Sequence, residues 1–305
     1  MLKPLTHHEP SKGLVIAAFA AIYIIWGSTY TAILFAIKSI PVFLMAGSRF
    51  FIAGFILYLW CRLKGQSTPG VNSIVQISFS GILMLFFGTG AVAWVEQYIS
   101  SGLTAIIVAT VPLWLVLIDK RQWQFHFSNK WILLGLLIGF AGVLLLFADR
   151  KAISFSDDKM KLISFFVMIC GSISWAIGSL YSKYKKVEGS SGMKAAIQMM
   201  SAGLVFFIIS PFTKQHIDLG NISWSAILAL LYLIVMGSLV GYISYIWLLS
   251  VRPPSVVGTY AYANPVVALF LGWLLVHEKI TQQQIIALAV ILAGVILVNF
   301  PKERS

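Results

Sequence analysis

From Leu14 to Phe300 the chain is a succession of apolar runs, each about 20 residues long, with only short polar gaps between them. A run of that length, wound as an α-helix at about 1.5 Å per residue, crosses the roughly 30 Å of hydrocarbon in a bilayer. Inside hydrocarbon the backbone must satisfy its own hydrogen bonds, which a helix does within one segment. Composition closes off a soluble alternative. With 59% hydrophobic and 10% charged residues among 305, and a mean hydropathy of +0.90, there are too few charges for a water-facing surface, where about 25% is usual. The sequence predicts an all-α polytopic membrane protein with ten transmembrane helices, at about 14–37, 41–61, 74–98, 101–118, 131–148, 162–181, 194–213, 223–250, 254–277 and 283–300. No soluble domain is left over.

The N-terminal tail, MLKPLTHHEPSKG, is polar. The run after it is too long for a signal-peptide core and lacks a small-x-small cleavage site, so it reads as a retained first span. Cys61 and Cys170 fall inside apolar runs, where thiols act as small hydrophobes; no disulfide is expected. The net charge of +12 would point to nucleic acid in a soluble protein, but here it sits in loops and sets orientation instead. If the N-terminus is cytoplasmic, 14 of the 22 Lys and Arg lie on inner segments, among them Arg62, Lys64, Lys120, Arg121, Lys130, Lys183, Lys185, Lys186 and Arg252, and 7 lie outside. The last is intramembrane Arg49. This two-to-one bias, with an even number of spans, places both termini of a multi-pass membrane protein in the cytoplasm.

The chain is also duplicated. Gly88, Trp94 and Pro112 recur 153 positions later as Gly241, Trp247 and Pro265. Ala141-Gly142-Val143 returns as Ala293-Gly294-Val295, and Trp26 as Trp175. The division runs as a tail 1–13, a first repeat 14–148, a linker 149–161, a second repeat 162–300 and a tail 301–305. Each repeat holds five helices, an odd number, so the second enters the membrane upside down: two inverted five-helix repeats. Secondary transporters are often built this way, with the substrate site near the midplane between the repeats.

Several residues could serve such a site. Tyr23, Trp26 and Tyr30 share one face of helix 1, either as aromatic packing or as cavity lining. Ser172, Trp175 and Ser179 share a face of helix 6, where Gly171 and Gly178 also permit a close-packed seam. Arg49 is a charge within helix 2, which costs about 2.5–3.5 kcal/mol unless it faces protein or water and has a partner. Glu96, at the outer end of helix 3, is the natural counter-ion, or else titrates as a proton carrier; the residues leave both open. Trp94, Gln97 and Tyr98 accompany it, and Tyr242, Tyr245 and Trp247 stand at the related place in helix 8. Gly237-x-x-x-Gly241 reads as a close-packing seam. In helix 9, Tyr260 and Asn264 precede Pro265, whose missing N–H should kink the helix and free the carbonyl of Ala261, as Pro112 should free that of Val108 in helix 4. Trp123, Phe125 and Phe127, between Lys120 and Lys130, read as a segment on the inner surface.

Absences narrow the field. There is no Walker loop, no His- or Cys-rich ligand set and no hydrolase motif, so neither metal nor cofactor is expected. A lipid-modifying enzyme would have only Glu96, His277 and Glu278 as acid-base groups, all near the outer face. A channel would need a ring of charges or a carbonyl filter, which the sequence does not display.

IIWGSTY, MAGSRF around Arg49, VATVPLW around Pro112, ISWAIGSLY, and TYAYANPVVALFLGW followed by Glu278 together resemble the drug/metabolite transporter superfamily, EamA type, and most closely its YedA-like inner-membrane members. The resemblance runs from about Ala17 to Val298. It implies a ten-helix, inverted-repeat secondary carrier that moves a small metabolite, an amino acid or related solute, commonly outward. Family motif positions are filled by Trp26, Gly27, Ser28, Arg49, Glu96, Pro112, Trp175, Gly178, Asn264, Pro265 and Glu278. Glu278 has no counterpart in the first repeat, where Asp119-Lys120-Arg121 follows helix 4. The expected substrate site comprises Trp26, Ser28, Tyr30, Arg49, Trp94, Glu96, Gln97, Trp175, Ser179, Tyr242, Tyr245, Tyr260 and Asn264, with Pro112 and Pro265 as hinges. The expected partners are a small-molecule substrate, neutral, zwitterionic or cationic, the lipid bilayer, and a coupling proton; the protein is expected as a monomer or homodimer. Drug efflux is the alternative role.

Overall fold

The structure, a computed structural model, describes residues 11–99, 101–146, 159–213, 220, 222–276 and 282–299. Among the described residues every regular element is helical. The first half contains α1 (Lys12–Ile37), α2 (Val42–Leu63) and α3 (Val71–Val95), then α4 (Ser101–Val108), α5 (Val111–Ile118), a short α6 (Trp123–Ser128) and α7 (Lys130–Leu146). The second contains α8 (Lys159–Tyr184), α9 (Ser191–Ile209), α10 (Trp224–Val251), α11 (Pro254–Val257), α12 (Tyr260–Val276) and α13 (Gln282–Asn299).

Six of these, α1, α2, α3, α8, α9 and α10, are long and apolar enough to cross a bilayer by themselves. Large apolar side chains point outward from them: Ile16, Ile24, Trp60, Phe166 and Leu228 are each more than half exposed. That is a surface made for lipid rather than water.

The remaining expected spans are shorter or interrupted. Segment 101–118 is two eight-residue helices parted at Ala109 and Thr110, with Pro112 in the first turn of α5, where its missing N–H costs no intrahelical bond. The expected kink there is a full break. In segment 254–277 the break falls at Gly258 and Thr259, whereas Pro265 lies inside α12. Side-chain chemistry accounts for the shift: Thr259 Oγ1 donates to the carbonyl of Val256 at 2.7 Å and meets the Tyr23 hydroxyl at 2.5 Å, so local bonds compete with the helical ladder. Residues Lys120–Ser128 turn 93° from Lys130–Leu145, which carries the exposed rings of Trp123 and Phe127 across the end of α7. His277, Glu278 and most of the 149–161 linker lie outside the described residues.

Packing reveals how the halves are related. α2 lies along α9 and α7 along α13; α1 packs on α12 and α10, and in the same manner α8 packs on α4, α5 and α3. Exchanging the halves leaves this pattern unchanged. The ends fix the direction. Ser39, between α1 and α2, meets Ser223, just before α10, at 3.3 Å. At the other end Gln66, between α2 and α3, accepts from Ser190, between α8 and α9, at 2.6 Å, and the Gly70 N–H donates to Glu188 at 3.3 Å. A repeat in the same orientation would put the α8–α9 link beside the α1–α2 link. It lies at the opposite end, so the second half is inverted. Arg62, Lys64, Lys120, Arg121, Lys130, Lys185, Lys186 and Arg252 gather at the end of Gln66 and Ser190, the basic end hereafter.

Two features of the long helices bear on the centre. Residues Ile82–Thr89 of α3 and Leu233–Tyr242 of α10 are π-helical, at positions related by the repeat. Wider π turns rotate the side chains that follow and recur at functional places. Where α2 crosses α9, a Cβ on Gly54 would lie 2.7 Å from the Met200 nitrogen, and one on Gly203 would lie 2.6 Å from that of Phe51. Backbone meets backbone there, as small residues allow in membranes.

Candidate functional site

A cavity of about 80 Å³ lies at the middle of the bundle. α1 contributes Trp26, Thr29 and Tyr30; α2 contributes Arg49 and Phe50; the π segment of α3 brings Leu85, Gly88 and Thr89. From the other half come Met168, Ser172 and Trp175 of α8, Gly237 and Tyr242 of α10, and Tyr260 and Asn264 of α12. Both halves therefore wall it, and both π segments reach it.

Its floor, on the side of the basic end, is a layer of aromatic rings. Trp26 stands edge-on to Trp175 at 5.6 Å and to Tyr260 at 4.8 Å between ring centres, and Tyr245 lies 5.2 Å from each tryptophan. Such pairs contribute about 0.5–1.5 kcal/mol each beyond burial. Polar handles lock the rings. Trp26 Nε1 donates to the Gly237 carbonyl at 3.0 Å, Trp175 Nε1 donates to the Tyr245 hydroxyl at 3.0 Å, and that hydroxyl meets Ser179 Oγ at 2.7 Å. The tryptophans also occupy reciprocal places. A Cβ on Gly241 would lie 2.5 Å from Trp26 Nε1, and one on Gly88 would lie 2.9 Å from the Trp175 ring. Each half thus offers the other a glycine on which its tryptophan sits.

Between this floor and the basic end, further contacts close the bundle. Gln198 Nε2 donates to Ser80 at 2.8 Å and Ser182 at 3.1 Å, while its Oε1 accepts from Tyr242 at 3.0 Å. Tyr184 donates to Asp119 Oδ2 at 2.7 Å, and Lys183 Nζ donates to the carbonyls of Leu249 and Arg252, both at 2.8 Å.

Arg49 is 5% exposed. Its Nε donates to Ser238 Oγ at 3.0 Å and its guanidinium lies 4.8 Å above the Phe50 ring. A Cβ on Gly237 would be 2.8 Å from Nη2, so the glycine that reads as a helix seam also makes room for the guanidinium. Asn264, turned so that its nitrogen faces acceptors, donates to the backbone carbonyls of Tyr260 at 3.0 Å and Tyr23 at 3.3 Å.

Glu96 does not pair with Arg49 here. Both its oxygens are buried without a hydrogen-bond partner. Geometry explains this: Arg49 donates to Ser238 on α10, in the space that Gly237 leaves, while Glu96 follows the last turn of α3. Among the residues expected at the site, the cavity brings together Trp26, Tyr30, Arg49, Trp175, Tyr242, Tyr260 and Asn264, with Ser179 and Tyr245 just beneath. Ser28 turns away; its Oγ meets the Tyr232 hydroxyl at 2.5 Å. The Trp94 ring lies tilted against Tyr98 at 4.9 Å, and exposed Gln97 donates to the Trp94 carbonyl at 3.0 Å; neither Trp94 nor Gln97 lines the cavity. Pro112 is buried against Gly258, whose Cβ would lie 3.5 Å from the proline Cα, so the two interrupted segments touch at their breaks.

The comparisons with known proteins join this geometry to a family. The model of the EamA-like transporter family matches twice, at residues 12–148 and 162–300. This chain belongs to the EamA family. It is 35% identical to the uncharacterized inner membrane transporter YedA of Escherichia coli K12, over 94% of this chain and 91% of that one. It is 25% identical to the uncharacterized transporter YoaV of Bacillus subtilis, covering 95% of this chain and 98% of the relative. A probable amino-acid metabolite efflux pump of Escherichia coli K12 is 23% identical over 90% of both. A crystal structure 17% identical in sequence superposes with a TM-score of 0.76, over 95% of this chain and 98% of that one, which shows the shared fold. As an EamA member the chain is a multi-pass inner-membrane transporter of small solutes, not an enzyme. Thr29, Thr89 and Gly237 line the EamA cavity although they were not among the expected site residues, and Ser172, a candidate from the helical face it shares with Trp175, lines it too.

Proposed function

We propose that the protein is a secondary active carrier that exports a small metabolite by alternating access, with the central cavity as its binding site. The observation that carries this reading is the position of the cavity: two inverted halves contribute to it almost equally, and a layer of aromatic rings floors it toward the basic end. The positive-inside rule makes the basic end cytoplasmic. The cavity then lies outward of the floor, and the Gln198, Tyr184 and Lys183 contacts seal the cytoplasmic side. Opening inward requires those contacts to part while the packed cluster of Ile33, Met45, Ala93 and Leu233 at the opposite end holds, with Pro112 and Pro265 as hinges. The efflux pump among the relatives supports outward transport and an amino-acid-like cargo.

We further propose that Glu96 carries the coupling proton, a reading supported by its being a buried carboxyl group with no hydrogen-bond partner. Protein reconstituted in liposomes tests both points. Saturable counterflow of an amino acid or related solute supports the carrier, and acceleration by a pH gradient supports the proton. If no such solute moves faster than through empty vesicles, the carrier reading fails; a rate indifferent to the gradient removes only the proton.

A further inference from the structure

The carrier reading leaves open what the cavity selects, and its one charge bears on that. Arg49 is 5% exposed and lines the cavity. Ser238 holds only Nε, at 3.0 Å; among the described residues neither Nη has a hydrogen-bond acceptor. Gly237 leaves no side chain over that edge of the guanidinium. Among the described residues no acidic side chain lines the cavity, and Glu96 is not one of the lining residues. A guanidinium fork held this way, with its outer nitrogens open and no counter-ion, is costly in a low-dielectric interior. It matches a carboxylate in shape, two parallel N–H donors to two oxygens. Ser172 is among the lining residues, and its Oγ is buried with no hydrogen-bond partner.

We propose that Arg49 is the specificity-determining residue of the cavity, selecting solutes that bear a carboxylate, with an apolar or aromatic body resting on the ring floor. This rests on the carrier reading and narrows it. Solutes with a net positive charge are rejected, because the guanidinium repels them and no carboxylate in the cavity offsets it. Zwitterionic amino acids are accepted, since the floor offers ring faces to an ammonium group. Ser238 and Gly237 are positioning residues: the first aims the fork and the second gives it space.

The test uses matched probes on the full chain in liposomes and in detergent: phenylalanine, leucine and 3-phenylpropionate against phenylalaninamide, leucinamide and phenethylamine. The expected result is that the carboxylates raise the melting temperature and compete for counterflow at least about tenfold better than their partners, the size of a lost charge-assisted bidentate pair. In Arg49→Gln that preference collapses toward one. Ser238→Ala, which leaves the charge but frees Nε, keeps the preference at a reduced ratio, so the proposal stays testable if Arg49→Gln does not fold. Equal competition by carboxylates and amides in the wild type, with transport intact, overturns the proposal and leaves the carrier standing. A carboxylate preference that survives in folded Arg49→Gln also overturns it. If no probe moves or binds, both readings fall together.

Discussion

Trp26 and Trp175 meet at 5.6 Å, each over a glycine of the other half, so the contact between each tryptophan and its glycine leaves little space for added volume. Gly241→Ala puts a methyl group 2.5 Å from Trp26 Nε1, with the π segment of α10 behind it and no room to yield. Overpacking of this sort costs about 1–3 kcal/mol. The expected outcome is a melting temperature lowered by several degrees in purified protein and counterflow reduced at least tenfold. Gly88→Ala, at 2.9 Å from the Trp175 ring, should behave alike but more mildly. Glu96→Gln keeps the shape of the side chain and cannot exchange a proton. Counterflow should persist while its acceleration by a pH gradient disappears; unchanged gradient dependence in that variant would remove Glu96 from the coupling. Aromatic and charged residues were the ones legible in the sequence, because Trp26, Arg49, Trp175 and Asn264 have no ordinary reason to lie mid-membrane. Ser28 and Thr29 show the limit. They are neighbours, one facing Tyr232 and the other the cavity, and in a helix apolar on all sides hydrophobicity does not say which face looks inward.

At the scale of elements, the interrupted segments behave differently in the two halves. α4 and α5 part just before Pro112, while the second half parts at Gly258 and Thr259 and carries Pro265 unbroken. The prolines were readable; the location of the second break was not, since it depends on Tyr23 reaching Thr259 across a sequence separation of 236. Nor were the π segments, which leave no mark on the apolar pattern. If alternating access exchanges the conformations of the halves, the inward-open state should close the gap at Ala109 and Thr110 and open one beside Pro265. Pro265→Ala, which restores an N–H to α12, should therefore slow turnover severalfold with little change in half-saturation, read by counterflow. Tyr184→Phe cuts a hydrogen bond to Asp119, and bonds to charged groups contribute about 1.5–3 kcal/mol. That shifts the balance roughly tenfold or more toward opening at the basic end. The check is the labelling rate, from the cytoplasmic side, of a cysteine placed at Ser182 in a protein with Cys61 and Cys170 replaced: it should rise in the variant, and an unchanged rate would show that this contact does not hold the seal.

The molecule as a whole is two like halves in opposite orientation, and this was legible from the odd number of apolar runs per repeat and the recurrence of Gly, Trp and Pro at one spacing. The proposed orientation in the membrane rests on charge alone: single cysteines near Gln66 should react with an impermeant label only from the cytoplasmic side, and those near Ser39 only from the other. Had the two halves been independent barrels of helix, each could have changed its packing alone. The reciprocal placement of Trp175 on Gly88 and Trp26 on Gly241 forbids that. A bulkier residue in one half is relieved only by a smaller one in the other, so the two copies of an ancestral segment are bound to vary as a pair, and substitutions at these four positions should be rescued across the duplication and never within it.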